Sequence, residues 1–164
     1  MFKKILVAID SSDMAEKIFH RAMTLAKLTD ATLILAHVLS AEEEGSPGLP
    51  IYGVDHYQIA AEVALESYRE RWQAFQEKQL QWLKTHVDRA MAEGVKAEFN
   101  QNFGSPGRMI CNLAKTEQVD LMVIGRRGRS GLSELLLGSV SNYVLHHAPC
   151  SVMVVQPLEQ PAIP

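Results

Sequence analysis

Cysteine is scarce: Cys111 and Cys150 are the two in 164 residues. That is far below the density of a secreted disulfide scaffold and points to a reducing compartment. Long apolar runs are missing too. Lys3 and Lys4 precede an apolar segment in the manner of a signal peptide, but it stops at Asp10 after five residues, short of the roughly 7–15 such a core requires. Nothing approaches the ~20 apolar residues of a membrane span. A cytoplasmic protein without a membrane partner is expected. Charge of one sign is not in excess either: 16 Lys and Arg against 19 Asp and Glu leave −3, too balanced for the broad positive field of a nucleic-acid binder. No glycine is followed by lysine, which removes the Walker A loop, and Asp10-Ser11-Ser12-Asp13-Met14 holds no glycine, which removes the dinucleotide fingerprint after the first strand. A receiver-type phospho-acceptor needs an aspartate after the third strand, where this chain has Asn100-Gln101-Asn102.

What is present is an ordinary globular composition, 47% hydrophobic and 21% charged, which excludes disordered and fibrous classes. The length suits one domain of roughly 100–200 residues. Lys4 to Ile9 and Thr32 to Val38 are short apolar runs of the kind covered on both faces of a sheet. Between them, Ser11, Ser12 and Asp13 are candidate helix N-caps, and Ala15, Ile18, Phe19, Ala22, Met23 and Ala26 recur at helical spacing over about Asp13 to Leu28. Residues 40–57, with Glu42-Glu43-Glu44 and several glycines and prolines, read as a long mobile connection. From Tyr57 to Glu93 there is neither proline nor glycine; Val63, Tyr68, Trp72, Phe75, Gln79, Leu83, Val87 and Ala90 give one long amphipathic helix closed by Gly94. Val95 to Phe99 alternates like an edge strand, Ser105-Pro106 opens a helix carrying Ile110, Leu113 and Ala114, and Val119 to Ile124 is a fourth strand. A last helix over Ser139 to His147 precedes a fifth strand ending at Val155, and residues 157–164 form a loose tail. The alternation implies an α/β fold: a single-domain, Rossmann-like, doubly wound parallel sheet of five strands in the order 3-2-1-4-5, with four helices, over residues 1–156.

Ligands of such sheets bind beyond the carboxyl ends of the strands, where strand order reverses. There the chain places Asp10 after the first strand, Val38 after the second, and Gly125-Arg126-Arg127-Gly128-Arg129-Ser130-Gly131 after the fourth, followed by Gly138-Ser139-Val140-Ser141 at the start of the last helix. Glycines admit close backbone approach, and a helix N-terminus offers unpaired N–H groups with the positive end of its dipole. Together they read as a phosphate cradle, with a carboxylate at Asp10 placed for a ribose hydroxyl. The bland alternative is a tight turn with solvated arginines. The scattered histidines form no chelating set; adjacent His146 and His147 read as charge at a helix C-terminus. Both cysteines read as buried thiols.

The spacing Gly125-x2-Gly128-x9-Gly138-Ser139 resembles the nucleotide-binding branch of the universal stress protein family. Lys4-Ile5-Leu6-Val7-Ala8-Ile9-Asp10, Leu35-Ala36-His37-Val38, Asp120-Leu121-Met122-Val123-Ile124-Gly125 and His147-Ala148-Pro149-Cys150-Ser151-Val152 extend the likeness over nearly the whole chain. Departures are a longer segment after the second strand and an arginine-rich glycine loop. The resemblance implies that main chain at Val38 bonds adenine, that Asp10 with Ala8 and Ile9 contacts ribose and base, and that Gly125, Arg127, Gly128, Gly138, Ser139, Val140 and Ser141 hold phosphates. It implies ATP or AMP as ligand, with Mg²⁺ held by phosphates and water rather than side chains. It also implies a homodimer through the fifth strand, Ser151 to Val155, an apolar edge without a gatekeeping charge. No catalytic residue is assigned, because no base accompanies the arginines. The expected protein is a stress-response regulator with an unidentified protein partner; the alternatives are a nucleotide-independent dimeric module or a slow ATPase.

Overall fold

The computed structural model describes residues 1–49, 58–126 and 138–156; residues 50–57 of the connection expected to be mobile, the arginine-rich stretch 127–137 and the tail 157–164 therefore lie outside the described residues. Five strands, β1 (Lys4–Ala8), β2 (Thr32–Leu39), β3 (Ala97–Phe103), β4 (Leu121–Gly125) and β5 (Ser151–Val155), alternate with α1 (Ala15–Thr29), α2 (Gln58–Ala92), α3 (Pro106–Thr116) and α4 (Ser139–His147). All pairings are parallel, and the sheet order is β3-β2-β1-β4-β5, as the alternation of apolar runs and helical segments predicts.

Strand parity divides the core. Ile5, Val7, Leu33, Leu35 and Val123 pack with α1 and α2 residues such as Phe19, Ala22 and Leu83 on one face. Leu6, Ile34, Ala36, Met122 and Ile124 pack with Ile110, Ala114 and Val144 of α3 and α4 on the other. Alternate side chains of one strand thus supply two cores, and this is why these strands read as unbroken apolar runs.

Three local expectations need correction. First, α1 has Met14 at its N-cap with no side-chain cap bond. Ser12 contributes its carbonyl to Ala15 N–H instead, because the Ser12 hydroxyl and amide are both turned back onto Asp10. Second, the long helix buries a stripe from Phe75 through Gln79, Leu83, Val87 and Ala90, but Val63 is 66% exposed. At 1.5 Å per residue a 35-residue helix is about 50 Å long, more than a sheet of five- to eight-residue strands can cover. Third, β3 lies two residues later than Val95 and runs on to Phe103. Its register puts Asn100, Gln101 and Asn102 beside Ala36, His37 and Val38, so a polar triplet that reads as loop is strand. The connection after β2 opens with a turn: Glu43 N–H bonds Ser40 carbonyl at 3.2 Å, Ser46 N–H bonds Glu43 carbonyl at 3.1 Å, and Glu43 is buried.

Candidate functional site

The cleft sits at the switch point. β1 connects to β2 on one side, whereas the chain leaving β3 crosses to β4 on the other, and β1 and β4 are neighbours. Ala8, Ile9, Asp10, Val38, Gly125, Gly138, Ser139, Val140 and Ser141, from four separate strand or helix ends, line this one cavity. Arg127 and Gly128 lie outside the described residues.

Asp10 is fixed by an Asx-type turn. Its Oδ1 accepts from Ser12 N–H at 3.1 Å and from the Ser12 hydroxyl, the local bonding that short carboxylates favour just beyond a strand. Val38 gains its role from parity. Ile9 N–H bonds Ala36 carbonyl at 3.0 Å, so even-numbered residues of β2 point their backbone groups toward β1. Leu39, by contrast, turns its carbonyl to Gly104 beyond β3. β1 pairs with β2 only as far as Ala8 opposite Ala36. Two residues on, Val38 therefore directs its N–H and C=O over the end of β1 and into the cleft.

The far wall is the N-terminus of α4. Gly138 is its N-cap, with no side-chain cap bond, and its carbonyl accepts Asn142 N–H at 2.9 Å. Within the first turn the N–H groups of Ser139, Val140 and Ser141 precede any intrahelical partner, where the helix dipole favours an anion. Ser141 is 3% exposed and donates its hydroxyl to the Gly125 carbonyl at 2.8 Å, tying α4 to the end of β4. Gly125 has a steric reason for lacking a side chain: an added Cβ would lie 2.4 Å from Ile18 Cδ1.

Sequence reasoning missed two parts of the cleft. Pro106 and Ile110, at the start of α3, form an apolar wall with Val38 and Ile124, suited to a flat hydrophobic group. On the opposite face of the sheet, His37 is buried and its Nε2 donates to Glu43 Oε1 at 2.8 Å. The Ser11 hydroxyl donates to that same oxygen at 3.2 Å, and the Gln101 amide lies 3.4 Å from His37 Nδ1. A titratable ring inside an apolar strand was the available signal, since buried polar groups need partners. Among the described residues no group of three His, Cys, Asp or Glu side chains could hold a metal ion.

Residues 1–156 match the family model described as the universal stress protein family. The chain belongs to the universal stress protein family. It is 37% identical over 155 residues to universal stress protein Sll1388 of Synechocystis, covering 94% of this chain and 98% of that one. It is likewise 37% identical over 160 residues to universal stress protein YxiE of Bacillus subtilis, covering 95% and 100%. Among solved structures, hypothetical protein MJ0577 superposes on this universal stress protein with a TM-score of 0.73 at 24% identity, over 98% and 99% of the two chains. A universal stress family protein of Arabidopsis thaliana, solved with AMP bound, gives 0.63 at 23% over 96% and 93%. The Archaeoglobus fulgidus protein, solved with dAMP, gives 0.56 at 21% over 93% and 96%. These likenesses establish the shared fold.

Proposed function

We propose that this universal stress protein is an adenine-nucleotide-binding regulator that works as a homodimer in stress response. The observation that carries the reading is the convergence in one cleft of a backbone edge at Val38, a carboxylate at Asp10 and the amide-rich first turn of α4. Each feature matches one part of a nucleotide. The Val38 N–H and C=O present the donor and acceptor that an adenine edge complements, with Pro106, Ile110 and Ile124 against its faces. Asp10 accepts from ribose hydroxyls, while the N–H groups of Ser139 and Val140 meet phosphate oxygens. Arg127 and Gly128 complete the phosphate loop in this proposal on the strength of the Gly-x2-Gly-x9-Gly-Ser spacing. That related proteins of the same fold have been solved with AMP and dAMP supports an adenylate over another anion.

ATP and AMP are the ligands proposed, and Mg²⁺ would be held by phosphate oxygens and water rather than by a side-chain set. Binding rather than turnover is the activity proposed, because the phosphate-side wall from Gly138 to Ser141 offers amides and hydroxyls and no carboxylate. β5 is a sheet edge, pairing with β4 alone in the sheet. It carries Ser151, Val152, Met153, Val154 and Val155 without a charge, an edge that a second copy would cover. No described helix is long and apolar enough to cross a membrane, and a cytoplasmic site of action is part of the proposal.

The test is calorimetric titration of the purified, nucleotide-stripped protein with AMP and with ATP and Mg²⁺. Saturable binding that is lost in Asp10→Ala is the expected result. Absence of binding at millimolar concentrations overturns the reading and favours the nucleotide-independent dimeric module. Several turnovers of ATP per minute would instead make the protein an enzyme.

A further inference from the structure

Glu43 is a buried carboxylate whose two oxygens differ sharply. Oε1 accepts from both His37 and Ser11, while Oε2 is buried with no hydrogen-bond partner. The side chain is 3% exposed, so bulk water does not wet that oxygen, and an acceptor left unmade in such a place is costly. Glu43 also lines the cleft that holds Asp10 and Val38, and its hydrogen-bond partner Ser11 is the residue next to Asp10. We propose that Glu43 Oε2 is an acceptor for a ribose hydroxyl of the bound nucleotide, which makes Glu43 a specificity-determining residue for the sugar. The inference rests on the nucleotide reading above.

The chemistry narrows the donor. A carboxylate accepts, so phosphate oxygens are repelled, and a nucleotide's remaining donors are its sugar hydroxyls and the base amino group. Sheet parity separates these two. The apolar wall of Val38, Pro106, Ile110 and Ile124 belongs with the α3 and α4 face, whereas Glu43 sits with His37, whose ring faces Trp82 of α2 on the opposite side. A base against the first wall leaves the sugar to the second. The His37 bond is short and fully buried, while the Ser11 contact is long and Ser11 is exposed. The proposal therefore requires the carboxyl group to turn about the His37 bond, so that the buried Oε2 meets the hydroxyl. Asp10 and Glu43 are two carboxylates lining the same cleft.

The experiment compares AMP, 2′-deoxy-AMP and 3′-deoxy-AMP by calorimetry on the wild-type chain, Glu43→Ala and Glu43→Gln, with circular dichroism as the check on folding. In the wild type, removing one of the two hydroxyls is expected to weaken binding about tenfold, as for a charge-assisted bond. In Glu43→Ala that penalty falls below about twofold even if overall affinity also drops, because the ratio cancels any general loss. Should Glu43→Ala not fold, Glu43→Gln retains an oxygen for His37 and replaces Oε2 by an amide nitrogen, and the penalty falls to about threefold or less. Deoxy penalties that persist unchanged in the folded variants, or that are absent from the wild type while AMP binds, overturn the assignment to Glu43 and leave the nucleotide reading standing. Failure of the wild type to bind AMP overturns both.

Discussion

Replacing Gly125 by alanine separates a packing role from a ligand role at the end of β4. The new Cβ would stand 2.4 Å from Ile18 Cδ1 and 3.3 Å from Cγ1. Carbon atoms rest at about 3.5–4.0 Å, so the Ile18 tip must retreat by roughly 1 Å. Ile18 is 3% exposed and belongs to the α1 side of the core, but it also lines the cleft, so the space open to its tip lies on the cleft side and the cost falls toward the lower end of the range for overpacking. Overpacking of this kind costs about 1–3 kcal/mol. Ile18→Val removes Cδ1, the atom in the way, at a cost of about 0.5–1.5 kcal/mol for the lost methyl group. If the two changes acted independently, the double variant would lose about 1.5–4.5 kcal/mol. Because the valine relieves the clash, it should instead lose no more than about 2 kcal/mol, a favourable coupling of roughly 1 kcal/mol or more. Urea unfolding followed by the fluorescence of Trp72 and Trp82 gives all four midpoints. Additive losses, or a Gly125→Ala protein as stable as wild type, refute the steric account. If the double variant regains stability while its affinity for AMP stays depressed, Gly125 also serves the ligand directly.

Ser141→Ala removes the 2.8 Å bond to the part-buried Gly125 carbonyl; a loss of about 0.5–1.5 kcal/mol in urea unfolding is expected, and an unchanged midpoint contradicts it. The Arg89 guanidinium, hydrogen-bonded to Glu16, holds that carboxyl below its ordinary value of 4.5; burial opposes it, and His86 adds to the lowering. A depressed folded-state pKa gives stability that is present above 4.5 and lost as pH falls through the lowered value. The stability difference between wild type and Glu16→Gln should therefore shrink as pH is lowered from 6 to 3, and a constant difference counts against the linkage; Glu16 is 59% exposed, so the effect is small. Burial pushes the thiols of Cys111 and Cys150 up, the nearby Asp120 carboxylate adding to the shift at Cys150. At pH 7.5 both should react with a disulfide reagent at least about tenfold more slowly than free cysteine, and urea should abolish the difference. Met153→Lys places a charge at an exposed position of β5; sedimentation should then report a monomer, and a persisting dimer places the interface elsewhere.

Strand order was legible because each buried strand is an unbroken apolar run set between helical periods, and right-handed crossovers leave few topologies for such a string. β3 was legible as an edge but not in extent. Asn100, Gln101 and Asn102 carry turn-like chemistry, yet their backbone completes the ladder to Ala36, His37 and Val38, and an edge tolerates polar side chains because one flank is solvated. α2 misled in the other direction. Its apolar positions recur along the whole helix, but periodicity reports which face is apolar and not how much of that face meets the sheet, so Phe75 is buried while Val63 is open. At the site, Asp10, Val38, Gly138 and Ser139 could be placed from their positions at strand and helix ends, since topology alone brings those ends together.

Glu43 could not be placed that way, because three consecutive glutamates are equivalent in sequence and only the backbone turn from Ser40 to Ser46 decides which one points inward. Yet the need for such a residue was already written into β2. His37 follows Ala36 and precedes Val38, so parity commits its ring to the α1 and α2 face, inside a core. A ring with two nitrogens, enclosed there, requires polar partners on both. Gln101 of β3 reaches one nitrogen, and the other demands an acceptor arriving from beyond the strand end. A carboxylate brought in to meet that demand arrives with two oxygens, and the imidazole uses one. The second is left buried and without a hydrogen-bond partner on a residue that lines the cleft. The sugar contact proposed for Glu43 is thus a consequence of burying a histidine at one position of one strand, and it stands or falls with the ribose-to-deoxyribose ratio.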